Sequence, residues 1–175
     1  NSEIDNLTKT TQDYAYWNDT YSFIKNHNPD YANSNLTQEN LNQSLKLDFA
    51  AIIDSQFQPL FYWNNQTDSY LNNSSPPTIP SYLLNTINEI VNSANGYSGI
   101  IQTTNGPALT VIKYVNSTER NLPANGLLIF GQYLENRLHP SLYEGRKEIV
   151  THTCGPNTIT FDGGDEGFEP FYLAE

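Results

Sequence analysis

The chain has 175 residues, enough for one domain that buries roughly two-thirds of its unfolded surface, and a formal net charge of −11 with only eight Lys and Arg. So acidic a surface argues against nucleic acid and against an anionic membrane face, because counterion release needs basic side chains. Cys154 is the single cysteine, so no internal disulfide can form, and no run of about 18 apolar residues is present to span a bilayer. No methionine is present even at position 1, so the chain is expected to start inside a longer protein or to have been processed.

Ile4, Leu7, Thr11, Tyr14, Asn18 and Tyr21 recur at spacings of three and four, widened by Trp17 and Ile24, which predicts one N-terminal helix over residues 1–27. Pro29 ends it, because the residue before a proline is driven out of the helical region. The stripe is polar at its start and aromatic in its last two turns. The helix is therefore expected to dock on the body only at that end, its first turns standing clear or pairing with a second copy.

Thr37 is the candidate cap of a short helix to about residue 45, with Leu36 and Leu41 placed as a hydrophobic staple. Residues 48–54 and 58–63 read as a hairpin, Pro59 confining the second run to an edge or a strand start. After a polar loop over 64–79, Pro80 suits the first turn of a helix whose buried stripe is Leu83, Leu84, Ile87, Ile90, Val91 and Ala94, closed by Asn95-Gly96. Residues 97–104 and 107–115 predict two strands across Asn105-Gly106, and 127–134 a central apolar strand. Beyond it, 148–153 and 158–161 are the remaining strand candidates. Helices packed on an antiparallel sheet make an α+β domain.

The run Asp13-Tyr14-Ala15-Tyr16-Trp17-Asn18-Asp19-Thr20-Tyr21-Ser22-Phe23, continued by Asn28, Tyr31, Asn35, Leu36 and Leu41, resembles the signature of the fourth class of CHASE domains. These are extracellular sensory modules of cyclases and histidine kinases. Tyr14 stands where the family usually has Trp, and Asn18 where it usually has the first Asp of a pair. The resemblance is specific over 13–41 and looser to about residue 134. It implies a PAS/Cache-like antiparallel sheet with a long N-terminal helix and flanking helices. The division it implies is one extracellular sensor domain over 1–175: the N-terminal helix 1–27, a sensor core 37–134 and a C-terminal extension 135–175. In function it implies an extracytoplasmic ligand-binding input domain of a membrane-bound receptor, a sensor histidine kinase before a cyclase. Such a domain takes a small-molecule ligand, forms a homodimer in the full-length receptor, and is tethered through flanking helices that the sequence lacks.

Aromatic stripes are usually core, so Tyr14, Trp17, Tyr21 and Phe23 are read as clamping the helix end onto the sheet, with Asp19 bracing the loop at Asn28, Tyr31 and Asn35. The competing reading has some of them lining a ligand pocket. By analogy with Cache sensors, Tyr62, Tyr70, Tyr97, Thr110 and Lys113 are the ligand-binding candidates. Alternation places Lys113 with Leu109, Val111 and Val115, where it is either a snorkelling edge residue or the counter-charge of an acidic ligand.

Neither metal nor cofactor is expected. His152 and Cys154, even with His139, fall short of a zinc set, and the acidic run 162–169 does not match an EF-hand loop. No nucleophile elbow, zinc-protease helix or phosphate-cradling loop points to catalysis. Eight Asn-x-Ser/Thr sequons (Asn6, Asn18, Asn35, Asn42, Asn65, Asn72, Asn73 and Asn116) stand against roughly four expected by chance. They keep a second reading open, a glycosylated structural or adhesive cell-surface domain without a small-molecule ligand.

Overall fold

The computed structural model describes residues 2–66, 77–90 and 95–136, together with the backbone of three short strands at 151–153, 158–161 and 171–172. The order is α1 (Ser2–Ala15), α2 (Asn18–Asn26), α3 (Pro29–Asn35), a π-helical turn (Glu39–Ser44), β1 (Phe49–Asp54), β2 (Pro59–Asn64), α4 (Ser81–Ile90), β3 (Tyr97–Thr103), β4 (Gly106–Val115) and β5 (Gly126–Tyr133). β6 (Thr151–Thr153), β7 (Thr158–Phe161) and β8 (Phe171–Tyr172) make a separate three-stranded sheet. The main sheet is antiparallel throughout, in the order β2-β1-β5-β4-β3. The chain is thus α+β, and β5 is the central strand that 127–134 predicts.

Both faces of this sheet are covered, so its central strands read as nearly continuous apolar runs. On one face Ala50, Ile52, Phe61, Trp63, Leu109, Val111, Leu128 and Phe130 pack with Ile4, Leu7, Ala15, Tyr21, Phe23, Tyr31 and Leu36 of the N-terminal helices. On the other, Phe49, Ala51, Ile53, Ile101, Ala108, Ile112, Ile129 and Tyr133 pack with Ile79, Leu83, Ile87 and Ile90 around α4. Pro59 opens the edge strand β2, where its missing N–H interrupts no inner ladder.

The N-terminal helix is not one rod over 1–27. It breaks at Trp17, whose backbone is extended (φ −135°, ψ 130°), and α2 restarts at Asn18. The groups freed at the break are taken by the loop after β4. Asn116 N donates to Ala15 O (3.0 Å), Asn18 N to Thr118 Oγ1 (3.0 Å), and Thr118 N to Asn18 Oδ1 (3.0 Å). Tyr21 Oη reaches Pro123 O (2.8 Å), and Asn125 Nδ2 returns to Tyr21 O (3.0 Å). Helical periodicity cannot reveal this, since its partners lie a hundred residues away.

The first turns do not stand clear either. Ile4 is 9% and Leu7 2% exposed, and α1 lies along β4 and β5. Thr11 is fully buried too, its Oγ1 donating to Leu7 O (2.7 Å), which lets a polar residue sit in the apolar stripe.

Smaller corrections have local causes. Thr37 Oγ1 accepts from Asn40 N (3.1 Å) as an N-cap should, but the helix it opens closes by i→i−5 bonding, Leu45 N donating to Asn40 O (2.9 Å). The β3–β4 turn centres on Thr104 and Asn105, with Thr103 opposite Gly106 at φ 106°, one residue before the expected dipeptide. Leu84 is 38% exposed, outside the buried stripe of α4, while Val91 and Ala94 lie outside the described residues.

Candidate ligand-binding face

The signature residues build the helix-side layer. Tyr14 meets Phe130 edge-on (5.7 Å between centroids) and Trp17 (5.9 Å); Trp17 leans on Tyr31 (5.8 Å), which stacks on Phe23 (4.8 Å). Tyr31 Oη and Thr20 Oγ1 are 2.6 Å apart, and burial holds the Tyr31 phenol far above the ordinary tyrosine range. Asn28 caps α3, its Oδ1 accepting from Asp30 N (2.9 Å), and Asn35 Nδ2 donates to Tyr31 O (3.1 Å).

The bracing expected of Asp19 is therefore supplied by Asn28, and Asp19 is exposed in the first turn of α2. Trp17, Asp19, Phe23, Asn28, Tyr31 and Asn35 border an open cleft of about 450 Å³. Its carboxylates, Asp19 and Asp30, occupy first turns of α2 and α3, where the helix dipole accounts for them.

The opposite face, under α4, has a different character. Cross-strand pairing sets Tyr62, Ala51, Ile129, Ile112 and Tyr97 in one row, and Asn64, Phe49, Gly131, Thr110 and Gly99 in the next. Of the ligand-binding candidates, Tyr62, Tyr97 and Thr110 thus share this face. Thr110 is fully buried, its Oγ1 donating to Ala108 O (3.2 Å), whereas Tyr62 and Tyr97 are half-buried at opposite edges. Lys113 pairs with Leu128 on the helix side, and its Nζ donates to Asn95 O (3.3 Å). Tyr70 lies outside the described residues.

At one end of this face the structure gathers around Tyr62 polar groups that the sequence did not single out. Asn64 Nδ2 donates to Tyr133 Oη (2.7 Å) and to Tyr62 Oη (3.1 Å), and Asn105 Nδ2 also donates to Tyr133 Oη (3.2 Å). Tyr82, from the first turn of α4, packs on this face with Tyr62 and Tyr133. Beneath them, buried Asp48 accepts from Tyr133 N (2.8 Å) and Asn136 Nδ2 (3.2 Å). Burial raises the pKa of Tyr62 and, more strongly, of Tyr82, so both phenols stay protonated and can donate or accept. Tyr62, Tyr82 and Asn105 remain partly exposed.

Period-two alternation puts Asn64 beside Tyr62 and Tyr133 beside Gly131. What it lacks is the β1–β5 pairing that brings Asn64 and Tyr133 together across 69 residues. Among the described residues no group of His, Cys, Asp and Glu could hold a metal ion, and no helix is long and apolar enough to cross a membrane.

An antiparallel sheet covered by N-terminal helices on one face and by α4 on the other has the PAS/Cache-like fold. The chain belongs to the CHASE4 domain family, whose profile matches residues 1–147, and is accordingly an extracellular ligand-sensing domain of the receptor type. Among solved structures, the Escherichia coli DcuS sensor domain superposes with a TM-score of 0.50 at 13% identity, covering 78% of this chain and 95% of that one. The ligand-binding domain of the Pseudomonas aeruginosa PAO1 amino acid chemoreceptor PctB, in complex with L-Gln, gives 0.47 at 11% identity. That match covers 89% of this chain and 56% of that one, so the chain spans little more than half of its length. No curated protein sequence matches the chain.

Proposed function

We propose that this domain is the extracytoplasmic input module of a membrane-bound receptor, with a sensor histidine kinase as the parent chain, and that a small molecule binds on the α4 side of the sheet. The observation that carries this reading is the Asn64–Tyr133–Asn105 cluster with Tyr62 and Tyr82. Its donors and acceptors converge on the face turned away from the N-terminal helices. Tyr62, Tyr97 and Thr110 belong to that face; Tyr70, in the segment between β2 and α4, is retained as a candidate for it, and Lys113 is not.

The domain folds as one unit, pairs with a second copy in the full-length receptor, and is held to the membrane by flanking helices. A ligand shifts the population between two arrangements of sheet and helices, and the N-terminal helices pass the difference on. A screen of small metabolites by thermal shift tests binding: a ligand that meets only the folded form must raise the melting temperature. The shift should shrink in Tyr62→Phe and stay in Asn6→Gln, a helix-side control. Loss of neither, or of both, refutes this location.

The adhesive alternative draws on the sequon excess, and the structure weakens that ground. The carboxamides of three sequon asparagines already donate within the fold: Asn35 to Tyr31 O, Asn42 to Leu47 O (2.9 Å) and Asn116 to Leu122 O (2.8 Å). Asparagine at these places serves turns and caps, the use that its short amide suits.

A further inference from the structure

We propose that the helix break carries a second binding site, a cleft that takes a carboxylate attached to a flat apolar body, with Arg120 as its anchor. Gln12, Asp13, Tyr16, Trp17, Thr118 and Arg120 line an open cleft of about 380 Å³ between the last turn of α1 and the loop after β4. The cleft belongs to the helix side of the sheet and stands whether or not the α4-side face binds anything.

Its walls are fixed before any ligand arrives. Tyr16 pairs with Asn116 in an isolated parallel bridge, Asn116 N donates to Ala15 O (3.0 Å), and Asn18 and Thr118 exchange two hydrogen bonds of 3.0 Å. Arg120 closes a tight turn, its N donating to Ser117 O (2.9 Å), with its own backbone in the left-handed region at φ 56°. Long side chains avoid that region, and one held there points to a functional demand on its position. Here the guanidinium lies over the Tyr16 ring, 5.2 Å from its centroid. The chain carries a net charge of −11, yet among the described residues Arg120 has no carboxylate partner. Asp13, on the rim, pairs instead with Lys9 (3.1 Å), and Glu119, its neighbour in the chain, accepts from Asn121 Nδ2 (3.4 Å). A guanidinium resting on a ring keeps its N–H fork for a planar acceptor, which a carboxylate matches with two parallel bonds. Tyr16 and Trp17, both half-buried, offer ring surface beside it for a flat apolar group.

The labelled 175-residue chain is titrated with benzoate, with benzamide as its uncharged counterpart and with inorganic phosphate as charge without a flat body. The indole N–H signals of Trp17 and Trp63 are followed by NMR. Benzoate should shift Trp17 and leave the fully buried Trp63 unmoved, while benzamide and phosphate bind on the order of tenfold more weakly. Arg120→Gly removes the guanidinium yet suits the left-handed backbone, so it should keep the fold and reduce benzoate to the level of benzamide. Arg120→Lys should retain only part of the binding, because an ammonium lacks the fork. Benzamide or phosphate matching benzoate overturns the ligand class, and full binding by Arg120→Lys overturns the bidentate contact. An undiminished response in Arg120→Gly overturns the anchor. A Trp17 signal silent toward all three probes overturns the site.

Discussion

Gly131 offers the sharpest test of how the α4-side face is built. It sits opposite Phe49 in the β1–β5 ladder, and a Cβ added there would fall inside the Phe49 ring, against Cζ, Cε1 and Cε2. The ring has nowhere to retreat. Phe49 is fully buried and lies against Tyr133, 5.7 Å between centroids, and the Tyr133 hydroxyl is fixed by Asn64 and Asn105. Overpacking of this kind costs about 1–3 kcal/mol, which for a chain of this length lowers the melting temperature by roughly 2–12 °C. Phe49→Leu in the same chain should recover part of the loss, because a smaller side chain makes room for the methyl. Thermal denaturation of both single variants and the double variant, followed by circular dichroism, should therefore show a coupling of about 1 kcal/mol. Strict additivity, or a Gly131→Ala melt indistinguishable from wild type, would refute the account of Phe49 as a ring seated on a glycine.

Tyr133→Phe removes the acceptor shared by Asn64 and Asn105 and should cost ~1–3 kcal/mol in urea denaturation, since buried donors lose their partner. Trp17→Ala should cost about 1–3 kcal/mol by the same measurement, less than a fully buried tryptophan would, because Trp17 is only half-buried between Tyr14 and Tyr31. A loss above about 4 kcal/mol would mean that the helix break collapses with it. Tyr31 and Tyr82 both have pKa values raised by burial, so their contribution to stability is complete below the unfolded tyrosine pKa of about 10 and is lost as pH rises beyond it. Melting temperatures should hold through neutral pH and fall above pH ~10, and the tyrosinate absorbance that Tyr31→Phe and Tyr82→Phe remove should be the part that appears only as the chain unfolds.

Much of the fold was legible because local chemistry decided it. Pro59 marked an edge, Pro80 a helix start, and the alternation in 97–104 and 107–115 assigned faces that the pairing of β3 with β4 reproduces. Even Lys113 was correctly set beside Val111 and Val115; grouping it with Tyr97 and Thr110 ignored that assignment. The break at Trp17 was invisible because an unbroken stripe of spacing three and four passes straight through it. Only the loop at 116–118 makes the interruption favourable, by supplying partners for the freed backbone. The cluster around Tyr133 was hidden for the same kind of reason. Asn64, Asn105 and Tyr133 belong to three separate segments, and each alone is an ordinary turn or strand residue.

Phe130 and Gly131 are consecutive, yet one ring contact ties the first to Tyr14 and another seats Phe49 on the second. The two layers of the molecule therefore hang from adjacent peptide units of one ribbon. Rolling that ribbon about its long axis raises one side while lowering the other, whereas sliding it lengthwise moves both alike. If a ligand binds beneath α4 as proposed, torsion of β5 is the motion that would carry its effect to the helices above.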